Sequence, residues 1–182
     1  MLRSLCLLFL ATSAVAQTPT RDQWPKPQAP LIPAADGYVV IPGAAVPPDP
    51  AVTYRAIFDA SRHAPKPTEL LPALNMAGSE LNAFAVARVP PANVKFAVVF
   101  HGAALDALLD DQHYKARFGV SNPNLPVLQQ LKRAGVELLV CGQNLASEQI
   151  DPKSLSPAVT VASDALIVLM AFQNRGYALL SF

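Results

Sequence analysis

Cysteine is almost absent from this chain of 182 residues: there are two, Cys6 and Cys141, beside a single tryptophan, Trp24. Cys6 lies in a start that reads as an export signal, with Arg3 as its positive end, Leu5 to Leu10 as its apolar stretch and Ala14-Val15-Ala16 as a small-x-small cleavage site. Cleavage after Ala16 would leave Cys141 alone, so the mature chain has no intramolecular disulfide, although exported proteins usually pair their cysteines. Charge is scarce as well. Removing Arg3 from fourteen basic residues leaves thirteen against thirteen acidic ones, without a basic cluster or an RNA-binding aromatic motif, and this excludes nucleic acid as a partner. The three histidines, His63, His101 and His113, stand in separate segments without the spacing of a zinc site. Gly102-Ala103-Ala104 lacks the glycine spacing and the lysine of a phosphate-binding loop, and no cofactor is expected. No apolar run approaches the roughly 20 residues a bilayer needs, so no membrane contact is expected after signal removal. The localisation implied is periplasmic or secreted.

Proline, by contrast, is abundant at one end. Nine of the 18 prolines fall between Pro19 and Pro50, a density that forbids helix and sheet interior alike. Residues 17–51 therefore read as an extended arm, either a free tether or a strap in which Tyr38-Val39-Val40-Ile41 is the piece able to dock. The signal is 1–16, and the remaining domain is 52–182.

From Val52 onward short apolar runs alternate with helical stretches, the pattern of a parallel α/β sheet. Strands are expected at 54–58, 95–100, 136–141, 159–161 and 177–180. Between them Thr68 would cap a helix carrying Leu70, Leu74, Ala77, Leu81 and Phe84, and 104–118 would form one helix. Asn124 would cap another, stopped by Gly135. The stretch from Asp164 to Arg175 is apolar nearly all round, which fits either a buried helix or a subunit interface.

In such sheets ligands bind beyond the carboxyl ends of the strands, and the first three strands end in Asp59, His101 and Cys141. An acid, an imidazole and a thiol are thus placed along one edge, with Gly102, Gly142, Gln143 and Asn144 in the adjoining turns. A cation or a helix N-terminus beside a thiol favours its reactive thiolate form. His101 facing Cys141 would make that thiol accessible and reactive. The plainer readings are a turn aspartate, a turn histidine and a buried cysteine filling the core. A cysteine–histidine–aspartate hydrolase is the third reading and ranks last, since no nucleophile-elbow motif is present.

The segments "FAVVFHGAALDALLDD", "NPNLPVLQQLKRAGVELLVCGQNLASEQID" and "VTVASDALIVLMAFQNRGYALLSF" resemble the DsrE/DsrF-like family in its exported branch. The resemblance implies a three-layer α/β/α sandwich with a parallel sheet of about five strands, assembled as a homo-oligomer, trimer or hexamer. It also implies a persulfide carried on the strand-end Cys141, with His101 tuning the thiol and a sulfurtransferase-like exchange with a donor or acceptor protein or a small sulfur compound. Where sulfur-relay members follow the cysteine with an Arg-Gly pair, this chain reads Gly142 to Gln149 and carries Glu148 instead. The alternative is a non-catalytic oligomeric module that binds a small ligand or protein and in which Cys141 is structural.

Overall fold

The computed structural model describes residues 24–182; the expected signal and its cleavage site lie outside them. Five parallel strands form one sheet: β1 (Tyr54–Ala60), β2 (Val94–Phe100), β3 (Glu137–Cys141), β4 (Thr160–Ala162) and β5 (Ala178–Ser181), in the order β4-β3-β2-β1-β5. The central strand β2, Val-Lys-Phe-Ala-Val-Val-Phe, is buried from Phe96 to Phe100 on both faces, as a parallel strand between helical layers must be. Its neighbours alternate with it. Phe58, Phe96, Val98, Phe100, Leu138 and Val140 face one helical layer, whereas Ile57, Ala97, Val99 and Cys141 face the other.

The first layer holds α1 (Pro72–Val86) and α3 (Leu125–Arg133), and between β2 and α3 lies the short α2 (Asp111–Phe118). Leu74, Ala77, Leu81 and Phe84 of α1 are buried as their spacing requires. The second layer is α5 (Ala165–Asn174) over β1, β2 and β5, and α4 (Gly142–Ser147) follows β3 directly. Helices on both faces of a parallel sheet make the three-layer α/β/α sandwich that the family resemblance implied.

Several local expectations are corrected. Thr68 caps nothing: α1 begins at Pro72, and the Leu71 N–H that precedes it donates to Asn124 Oδ1 at 2.8 Å. Asn124 precedes α3, but its side chain is committed to Leu71 and to Asn122 rather than to its own helix. The stretch 104–118 is two elements, a 3-10 helix at Gly102–Leu108 and then α2, because Leu109 bridges to Leu155 and Asp110 caps a new helix by accepting the His113 N–H at 2.8 Å.

The arm docks, but elsewhere than Tyr38–Ile41. Tyr38 pairs with Gln28 inside the arm, while Val40 and Ile41 stay exposed. The docked residue is Ile32, fully buried against α1. Asn82 of α1, itself buried, accepts the N–H groups of Leu31 and Ile32 at 3.1 and 2.8 Å and donates to the carbonyls of Ile32 and Asp36 at 3.0 Å. Gly78 completes the seat, since a β-carbon there would collide with that of Ala35. A proline-rich segment cannot join the sheet, so its backbone groups are satisfied by a side chain instead.

Candidate functional site

Strand alternation puts Asp59, His101 and Cys141 on the same face of the sheet. Asp59 follows Ile57 by two residues, His101 follows Val99 by two, and Cys141 belongs to the cluster of Ile57, Ala97 and Val99 under α5. His101 and Cys141 stand one step beyond the paired residues Phe100 and Val140, at the carboxyl edge. The strands therefore deliver all three groups to one place, as the sequence predicts.

The side chains then divide. His101 turns to β1, where its Nε2 lies 2.7 Å from Asp59 Oδ1, both groups being partly exposed. A carboxylate on one ring nitrogen fixes the ring's orientation and holds a proton between the two, leaving Nδ1 as the second polar atom of the imidazole. Cys141 turns under α5 instead, where its Sγ accepts the Ala165 N–H at 3.3 Å and the residue is only 3% exposed. The expectation of an accessible thiol facing His101 is thus corrected. The first turn of α5 covers the sulfur because β4 ends beside β3 and its crossover starts directly above Cys141.

That turn is built to present N–H groups. Asp164 caps α5 by accepting the N–H groups of Leu166 and Ile167 at 2.7 and 3.2 Å, which leaves the Ala165 N–H to the sulfur. The sulfur thus receives a backbone donor from the N-terminal end of a ten-residue helix, the end that carries the positive pole of the helix dipole.

The adjoining residues hold the edge together. Gly142 opens α4 where a β-carbon would lie 2.7 Å from the Ala162 carbonyl, so any side chain would force β3 and β4 apart. Gln143 donates to the Ser163 carbonyl at 3.4 Å, and Asn144 Oδ1 accepts the Gly102 N–H at 3.3 Å, tying α4 to the loop after His101. Gly102 has φ of 54°, the left-handed conformation that the turn out of β2 demands. Glu148 is exposed at the end of α4.

Sequence reasoning missed a cleft of about 160 Å³ beyond the same edge, bordered by Ala103. His63, Lys66, Asp106 and Tyr114 line it. Burial pushes the Asp106 carboxyl up, opposed by Arg117 at 2.8 Å and by His63. Burial and the Asp106 charge push the Tyr114 hydroxyl up, and that hydroxyl donates to the Pro67 carbonyl at 2.8 Å. His63 and Lys66 sit in a loop, Asp106 in the 3-10 segment and Tyr114 in the short α2, so no shared periodicity marks them.

The architecture recurs in a solved structure. The ychN protein from E. coli is 17% identical, with a TM-score of 0.53, over 71% of this chain and 99% of that one. A protein of unknown function from Methanobacterium thermoautotrophicum, MTH1491, is 19% identical over the same shares, with a TM-score of 0.46. No curated protein matches. The model of the DsrE/DsrF-like family matches residues 55–182, the whole sheet with its helices from the second residue of β1 onward, and the chain belongs to that family.

Proposed function

We propose that this protein binds and relays sulfane sulfur on Cys141, in an exported, periplasmic or secreted setting. The observation that carries the reading is the sulfur's position: the only cysteine of the described chain ends a strand at the carboxyl edge, and its Sγ receives the Ala165 N–H from the start of a helix. Membership of a family with a sulfur-relay-related fold supports it. In the step itself, the Cys141 thiolate attacks the outer sulfur of a donor persulfide. The new Sγ–S bond forms as the donor's S–S bond breaks, and the donor leaves as its thiolate, which takes up a proton; no net oxidation occurs. Uptake requires the first turn of α5 to move away from the sulfur, since Cys141 is buried in the closed form. The Asp59–His101 pair, on the same face, is the proton-holding group nearest in register to the thiol.

Self-association is part of the proposal. The outer face of α5 exposes Leu166, Ile167 and Met170 at 63%, 54% and 56%, an apolar surface that a second copy of the chain would cover. Intact-mass measurement of the purified protein after treatment with a small-molecule persulfide donor tests the sulfur reading. Addition of one sulfur atom to the native chain, absent in Cys141→Ser, is expected.

A second reading is favoured by one observation, the burial of Cys141. On that reading the thiol is a packing residue, and the Asp59–His101 edge with Gly102 and Asn144 binds a small ligand. No sulfur addition to the native protein, with addition to the denatured one, would select it.

A further inference from the structure

On the opposite face of the sheet from Cys141, beside the edge strand β5, lies an open cleft of about 370 Å³. Tyr54 and Phe182 border it with partly exposed rings, joined beneath by the buried rings of Phe84, Phe96 and Phe58, successive centroids lying 4.4 to 6.0 Å apart. Tyr54 is held in place because its hydroxyl accepts the Asp49 N–H at 2.7 Å. The facing wall is α1, where Met76 and Glu80 stand four residues apart on one stripe.

Glu80 is the unusual member. Its carboxyl is partly withdrawn from water, and burial, with no neighbouring charge, pushes it above the ordinary carboxylate range. Among the described residues it has no hydrogen bond and no ion pair. A half-buried carboxylate without a partner is costly, and it marks a place for a positive charge. Arg55 borders the cleft only through its backbone, because strand alternation sends its side chain to the α5 face. Glu80 is therefore the one charged side chain that the cleft presents.

We propose that this cleft binds a small organic cation, an alkylated ammonium on a compact apolar body, with Glu80 as its counter-charge and the partly exposed rings of Tyr54 and Phe182 against its alkyl groups. Aromatic faces attract such cations electrostatically. The chemistry favours an alkylated head over a primary ammonium, which brings three N–H donors to a wall of rings and methylenes where only one carboxylate can accept them.

The test is titration of the purified full chain with choline chloride, followed through the Met76 methyl resonance, beside its uncharged isostere 3,3-dimethylbutan-1-ol. Saturable shifts with choline, at least about tenfold weaker with the isostere and with Glu80→Gln, are expected. Circular dichroism of the variant checks that it is folded, and the wild-type comparison of cation with isostere stands without it. Equal affinity of choline and its isostere, equal binding of choline to Glu80→Gln, or no choline shift at millimolar concentration would overturn the proposal. A drop in oligomeric mass on Glu80→Gln would also overturn it, assigning the carboxylate to a cation of a second copy.

Discussion

Asn82→Ala should release the arm. In the native protein this side chain satisfies four backbone groups of Leu31, Ile32 and Asp36, and the Ile32 N–H and carbonyl are fully buried where they meet it. If the arm stayed in place, each of those two buried groups would lose its partner at about 1–3 kcal/mol, or roughly 2–6 kcal/mol together. If the arm left, the loss would be the burial of Ile32, about 1.5–3 kcal/mol, offset in part by regained chain entropy. The outlying contacts, Ala34 to Gln130 and Asp36 to Asn75, would be lost as well, at about 0.5–1.5 kcal/mol each. Release thus loses about 2.5–6 kcal/mol before the regained chain entropy is credited; that entropy makes it the cheaper outcome, so a destabilisation of about 2–4 kcal/mol is expected. Denaturant unfolding measures that figure, and limited proteolysis reports whether residues 24–51 have become cleavable. A variant within about 0.5 kcal/mol of wild type, with its arm still protected, would refute the reasoning.

Ile167→Asp puts a charge in the centre of the exposed α5 face without touching the core side of the helix; on the proposed self-association, wild type should scatter light as an oligomer and the variant as a monomer, at unchanged secondary structure. The Cys141 thiol should alkylate more slowly in the native protein than in denaturant, because α5 covers it. The Asp110 carboxyl is held below its usual range, first by the His113 N–H and then by the His113 ring. A lowered carboxylate stabilises the fold above its unfolded value near 3.8 and loses that contribution as pH falls through the folded value. Asp110→Ala should therefore differ from wild type in stability at neutral pH and converge with it in acid.

Periodicity made the strands and α1 legible, because Phe96 to Phe100 and Leu74, Ala77, Leu81 and Phe84 are apolar at the spacing of the surfaces they bury. It also placed Asp59, His101 and Cys141 at one edge, since a parallel α/β chain puts the ends of its strands side by side. The directions of the side chains were not legible. That His101 meets Asp59 and that the start of α5 covers Cys141 are long-range facts that no local pattern records. The break at Leu109 and Asp110 was hidden for a similar reason, as it follows from the bridge to Leu155 and the Asn122 side chain that donates to the Ala107 and Leu109 carbonyls. The docking of Ile32 depends on an asparagine fifty residues away, and proline density alone said only what the arm could not be.

The central claim is that Cys141 takes up sulfane sulfur through movement of the first turn of α5, and the most direct measurement is the rate of sulfur addition to the native protein by intact mass. Wild type, Asp164→Ala and Cys141→Ser are compared. Removing the Asp164 cap loosens the turn above the sulfur while leaving Cys141 and His101 intact. The account predicts one added sulfur atom in wild type, several-fold faster addition in Asp164→Ala, and none in Cys141→Ser. A native wild-type chain that gains no sulfur, or a rate indifferent to the Asp164 cap, would contradict it.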